Sequence, residues 1–169
     1  MKDNCYCSLK IDDFMRRKRS YSKRTLKAPL EVYQKRLELM EELLDQLHEL
    51  INQDSIIVVE GKRDIAALNS LGLQGDFYPS THHSLVNFCE DLAKTGRGVV
   101  ILTDWDRRGN MLASKLVDNL QSLGVSPETR IRDLIVSLVQ KEIKDVESLP
   151  SYVQKLKRIT KASSDHDPF

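Results

Sequence analysis

The sequence has no stretch approaching the ~18 consecutive apolar residues that a membrane-spanning helix requires. Its opening residues, MKDNCYCSLKIDDF, carry no apolar core of a secretory signal. A soluble, untargeted chain is expected. Cysteine is scarce: Cys5, Cys7 and Cys89 make an odd set, which argues against a secreted disulfide framework and for a reducing, cytoplasmic setting. The Cys5 and Cys7 pair has no second Cys/His pair at zinc spacing, so no structural zinc is expected. Charge of one sign is lacking too. Charged residues are 30% of the 169, yet the net charge is only +1, so no global basic field announces a nucleic-acid partner. There is no internal repeat and no low-complexity block beyond one basic stretch. The length suits one domain with an appendage, large enough to bury a core without disulfides.

What is present is unevenly arranged. Residues 15–27, MRRKRSYSKRTLK, hold seven cations (Arg16, Arg17, Lys18, Arg19, Lys23, Arg24 and Lys27) and no acid. Residues 1–28 therefore read as a flexible basic arm. Residues 29–53 follow as an N-terminal helix, because Tyr33, Leu37, Met40, Leu44, Leu47 and Ile51 recur at alternating steps of four and three. That stripe is shorter than the ~3 to 4 heptads of a coiled coil, so a helix laid on the core is expected and dimerisation is the alternative. The run IIVVE at 56–60 has no alternation, as a strand covered on both faces would. A helix over 64–73, a short strand in GDFYP, a helix over 84–94, a strand over 99–103 and a helix through Leu112, Leu116, Leu120 and Leu123 complete a β-α-β-α-β-α alternation. The expectation is an α/β fold: a parallel sheet with helices on both faces over 54–125, a C-terminal helical extension over 126–160 and a frayed tail at 161–169.

In a parallel sheet, ligands gather beyond the carboxyl ends of the strands. Glu60 closes the first strand, and Asp104 follows the third in LTDWDRRGN. If those strands are neighbours, their carboxylates meet. Asp104 and Asp106, two residues apart in extended backbone, project to one side and Trp105 to the other. Three carboxylates in one small volume repel one another unless a cation sits among them. Mg²⁺ is the candidate, as one or two ions with Mn²⁺ as a substitute, because it takes few protein oxygens and leaves room for phosphate. Gly61, Lys62, Arg63, Arg107, Arg108 and Gly109 surround that acidic centre with cations, close-approach glycines and a helix start, all suited to phosphate. The rival reading of Asp-x-Asp at a strand end is a turn with a helix N-cap. His82 and His83 fall in a loop facing the same strand ends, either solvated or touching phosphate. Trp105 is expected to pack beneath its loop, with base stacking as the alternative.

EGKRDIAAL followed, 44 positions on, by TDWDRRG resembles the Toprim domain of topoisomerases, bacterial primases, old-type nucleases and the maturase of 5S ribosomal RNA. The chain is most similar to small, single-domain, primase-like Toprim proteins of archaea. The resemblance covers roughly residues 54–125. It implies a compact β/α domain in which Glu60 acts as general acid or base and shares metal ligation, while Asp104 and Asp106 bind Mg²⁺. Topoisomerase versions commonly carry a further acid where this chain has Arg108, and they need a tyrosine nucleophile on another domain, which is not visible here. Zinc-binding and helicase-binding modules of primases are not visible either.

The expected function is therefore Mg²⁺-dependent chemistry on nucleic-acid phosphodiesters, with cleavage or processing of structured RNA favoured over DNA. Asp104 and Asp106 would hold the metal, Glu60 would ligate it or serve as base, and Lys62, Arg107 and Arg108 would stabilise charge on the phosphate. The arm would hold the nucleic-acid backbone. The alternatives are primase-like nucleotidyl transfer and a metal-binding, nucleic-acid-binding subunit that acts only within a larger complex.

Overall fold

The computed structural model describes residues 27–80, 84–139 and 142–164. Glu31–Phe169 forms one compact unit by itself. Of the predicted basic arm, only Lys27 among the named cations lies within the described residues, where it is exposed. Cys5, Cys7, His82, His83 and residues 165–169 lie outside them.

Among the described residues the elements follow in the order α1 (Leu30–Asn52), β1 (Ile56–Val59), α2 (Lys62–Ser70), β2 (Phe77–Pro79), α3 (Leu85–Lys94), β3 (Val99–Ile101), α4 (Arg107–Ser122), α5 (Arg130–Val139) and α6 (Leu149–Ser164). The three strands form a parallel sheet in the order β2-β1-β3, which puts β1 at the centre and beside β3. Ile56 pairs with Val99 and Val58 with Ile101. Glu128 adds a single parallel bridge to Val100, and its backbone bonds to Val99 and Ile101 cap the otherwise open edge of β3.

The absence of alternation in IIVV has the anticipated cause. All four residues are buried. Ile56 and Val58 point into a cluster with Phe88, Cys89 and Leu92 of α3 and Leu116 and Leu120 of α4. Ile57 and Val59 point the other way and are equally hidden, so helices cover both faces of the sheet. At about 1.5–3 kcal/mol for each large side chain fully removed from water, this layering stabilises the fold. In α1 the inward stripe is Tyr33, Met40, Leu43 and Leu47, with Leu37, Leu44 and Ile51 half-buried. The predicted helix therefore lies on the core, and Lys157 of α6 pairs with its Glu41 at 3.3 Å.

Several boundaries differ from expectation, each for a local reason. β1 ends at Val59, so Glu60 is the first residue past the strand. α2 starts at Lys62 and ends at Ser70, because Gly72 takes φ +88, a left-handed turn that stops the helix. β3 is only three residues long, which places Asp104 three residues beyond it. α4 begins five residues before its first predicted apolar position because Asp106 caps it. α6 opens with Pro150 in its first turn, where a missing N–H costs nothing, and runs to Ser164, four residues into the predicted tail.

Candidate functional site

The parallel pairing of β1 with β3 brings Glu60 and the Thr103–Asp106 loop to the same end of the sheet. The N-cap reading of Asp-x-Asp holds for one of the two aspartates. Asp106 is the N-cap of α4, its Oδ1 accepting the Gly109 amide at 2.7 Å. Asp104 is not a cap; its Oδ1 accepts the amide of Val146 at 2.9 Å. Each carboxylate thus has one oxygen fixed by a backbone N–H, which sets its direction.

Glu60 differs. Its Oε1 is buried and has no hydrogen-bond partner, a costly state for a carboxylate oxygen. Burial raises the Glu60 carboxyl above its ordinary value and the negative charges of Asp106 and Asp64 add to the rise, while Arg108 and a hydrogen bond from the Asp104 backbone to the carboxylate oppose it. Asp104 is pushed up to about 6, by burial first and by the charges of Asp64, Glu60 and Asp145, against the Val146 amide that favours its ionised form. Asp64, buried on the first turn of α2, is raised by burial as well, although the Gly61 amide donates to its Oδ2 at 2.9 Å. The strand ends thus hold carboxylates that resist ionising together.

Among the described residues, no group of three or more His, Cys, Asp or Glu is arranged to hold a metal ion. The three predicted ligands are neighbours in charge without being a closed cage. Mg²⁺ does not need one: it is commonly bound by one or two carboxylates, its own waters and substrate phosphate. Hard carboxylate oxygens, one of them buried and unpaired, fit that ion.

Both glycines have partners within the fold. A Cβ on Gly109 would lie 2.1 Å from the Asp104 carbonyl oxygen and 2.8 Å from Glu60 Oε1, so only glycine allows α4 to start this close to both residues. The Gly109 and Gly61 amides are already engaged, by Asp106 and Asp64. The cations separate as well. Arg63 points to Glu147, 4.0 Å away, and Lys62 is exposed on the first turn of α2. Arg107 and Arg108 line a cleft of about 520 Å³ that also includes Glu60, and Lys115 lies farther along it.

Residues beyond 125 complete the site, and sequence reasoning missed them. Arg132 on α5 is buried and donates through Nε to the Thr103 carbonyl at 2.9 Å and through Nη2 to the carbonyl of Asp104 at 2.5 Å and to Asn110 Oδ1 at 2.7 Å. Burial lowers its affinity for its proton, while Asp133, Asp104 and Glu60 favour the charge. Residues 143–146 clasp the same loop: the Trp105 amide donates to the Lys144 carbonyl, and the Trp105 indole Nε1 to that of Ile143 at 2.7 Å. Trp105 is buried, as the packing reading expects. The one sequence signal for Arg132 was its place on the α5 stripe with Ile135 and Val139, at helical spacing.

The family model of the Toprim domain matches residues 55–149, a span that takes in α5 and the clasp. A UPF0292 protein of Methanosarcina barkeri is 54% identical over 138 residues, covering 82% of this chain and 96% of that protein. One from Methanocaldococcus jannaschii is 36% identical over 74% of this chain and 94% of its own length. A solved structure of a protein from Aquifex aeolicus superposes with a TM-score of 0.56 at 21% identity, over 64% of this chain and 96% of that one. At that identity it speaks to the fold. No helix among the described residues is long and apolar enough to cross a membrane.

Proposed function

This chain belongs to the Toprim domain family and, within it, to the archaeal UPF0292 proteins, and from that premise we propose a Mg²⁺-dependent reaction on nucleic-acid phosphodiesters, with RNA the favoured substrate. The observation that carries the reading is the buried, unpartnered Oε1 of Glu60 beside Asp106 and Asp104. Such an oxygen is costly unless a cation or a proton occupies it, and the cleft that Glu60 helps to line is rimmed by Arg107 and Arg108.

Asp104 and Asp106 would hold the ion through the oxygens that their backbone partners leave free. Mg²⁺, when bound, would supply neutralisation of the phosphate charge. The remaining work falls to this chain's own residues. Arg107 and Arg108 attract and orient the phosphate by charge-assisted hydrogen bonds. Glu60, its carboxyl raised toward neutrality by burial, accepts or returns the proton of the attacking group, a role that a carboxylate at its ordinary value performs less well. Arg132, through the carbonyls of Thr103 and Asp104, keeps the aspartate loop in place.

The test is incubation of the purified chain with total RNA and with plasmid DNA, in Mg²⁺ and in chelator. RNA fragments that appear only with Mg²⁺, and a fall on the order of 10²-fold or more in rate for Glu60→Gln, are expected. Undiminished cleavage by Glu60→Gln would remove that residue from the mechanism. Binding without cleavage under every condition would favour a subunit that works only within a larger complex.

A further inference from the structure

The cleft beside Glu60 extends well past the acidic centre along α4. Arg107, Met111 and Lys115 follow one another at steps of four on that helix, and Leu112 lies one step from Arg108. All of these line the cleft, whose other wall includes Leu85 at the start of α3. Along α4 the lining runs from two arginines next to the aspartate loop, through Met111 and Leu112, to Lys115, while Ser80 and Leu85 line it from outside that helix. Met111, a large apolar side chain, is 53% exposed there. At 1.5 Å of rise per residue, Lys115 stands about 12 Å along the axis from Arg107. The cleft, about 520 Å³, falls within the range of small-ligand sites.

We propose that the apolar middle of this cleft is a subsite for one unpaired nucleobase of the nucleic-acid strand whose phosphate sits at the Glu60 end. The inference rests on the reading of that end as a phosphodiester centre, and it names the substrate class: a strand unpaired next to the reacting phosphate. The occupant follows from the order of charges. In a strand, two successive phosphates flank a sugar that carries a base with flat apolar faces to one side, and along α4 the cleft offers Arg107 and Arg108, then Met111 and Leu112, then Lys115. In a duplex the base faces are covered by their stacked neighbours and cannot reach Met111. An unpaired base can leave the stack and lie between apolar side chains, as flipped bases do in base-modifying enzymes.

The experiment uses the full chain, with chelator present so that nothing is cleaved, and three probes: an RNA strand of about eight nucleotides carrying 2-aminopurine at one position, the same strand annealed to its complement, and adenosine monophosphate. Wild type is expected to bind the single strand more tightly than the duplex, and the 2-aminopurine fluorescence should change as the base leaves solvent. Met111→Gln, on an exposed helical position, preserves helix propensity and charge. Covering half of a methionine side chain corresponds to about fivefold in affinity. The variant should lose about that much for the single strand, lose the fluorescence change, and leave duplex binding and the salt dependence untouched. Lys115→Gln should weaken both forms and lower the salt slope by about 0.7–0.9. Wild-type RNA binding with Met111→Gln indistinguishable from it, or equally weakened for single strand and duplex, would overturn the base subsite and leave the phosphodiester reading standing. Monophosphate bound as tightly as the strand would overturn it in favour of a free-nucleotide pocket. Failure of wild type to bind any RNA would remove the phosphodiester reading itself, and the subsite with it.

Discussion

Asp104→Asn separates the cost of the site from its use. The side chain accepts the Val146 amide through Oδ1, and asparagine offers a carbonyl oxygen in the same place, so the bond that holds the loop survives while the charge is removed. In the folded protein the Asp104 carboxyl is raised from the ordinary 3.8 to about 6, burial being the largest cause. Below pH 4 the group is protonated in both folded and unfolded chains and costs nothing. As pH rises from about 4 to 6, the unfolded chain ionises while the folded one resists, so wild type loses stability across that window, and the loss is complete just above pH 6. At 1.36 kcal/mol per unit the full shift corresponds to about 3 kcal/mol; solvent screening of a group that water partly reaches reduces this to about 1–2 kcal/mol. Asp104→Asn should therefore be more stable than wild type by about that amount at pH 7.5 without divalent ions, and no more stable at pH 4. Urea denaturation at the two pH values, with and without Mg²⁺, provides the measurement. Saturating Mg²⁺ should restore wild type, by about 2.7 kcal/mol at a hundredfold excess over its dissociation constant, and leave the variant unmoved. A variant less stable than wild type at pH 7.5, or a difference independent of pH, would refute the claim that this carboxylate is held against its own preference.

Gly109→Ala places a Cβ against the Asp104 carbonyl and should cost about 1–3 kcal/mol by overpacking, whereas Gly61→Ala, whose Cβ would meet nothing within 4 Å, should cost less than about 0.5 kcal/mol; equal effects in thermal denaturation would break the argument. Arg132→Met strands two loop carbonyls and Asn110 and should destabilise by about 2–4 kcal/mol, with Arg132→Lys recovering only part because it lacks the planar fork; a urea midpoint unchanged in Arg132→Met would show that the loop stands without it. Removal of residues 1–28, with their seven cations, should weaken nucleic-acid binding across sequences and flatten its salt dependence by several units, at about 0.7–0.9 per phosphate neutralised; superimposable slopes would mean that the arm does not touch nucleic acid.

The line between what the sequence disclosed and what it withheld follows the range of the interactions. Strand and helix types are written in local periodicity, so IIVV and the stripe from Tyr33 to Leu47 could be read directly, whereas the meeting of Glu60 and Asp104 stayed conditional on β1 and β3 being neighbours, which their pairing supplies. The clasp around the aspartate loop was not legible because most of its donors and acceptors are backbone groups: the Val146 amide, the Lys144 carbonyl and the Ile143 carbonyl. Backbone groups are the same in every sequence and leave no residue signature, and these lie 38 to 42 positions from their partners. Gly109 was visible as a glycine at a helix start, but its reason, the room occupied by the Asp104 carbonyl and Glu60, exists only once α4 is docked. Arg132 shows what an intermediate signal looks like, a cation on an apolar helical stripe whose buried charge is satisfied by the carbonyls of Thr103 and Asp104 and by Asn110. The loop that carries both aspartates is thus held by residues that local pattern assigns to a separate C-terminal extension. Arg132 of α5 holds the loop's backbone carbonyls and the Val146 amide before α6 holds the Asp104 carboxylate, so the geometry of the acidic centre depends on those two elements as well as on the strand ends.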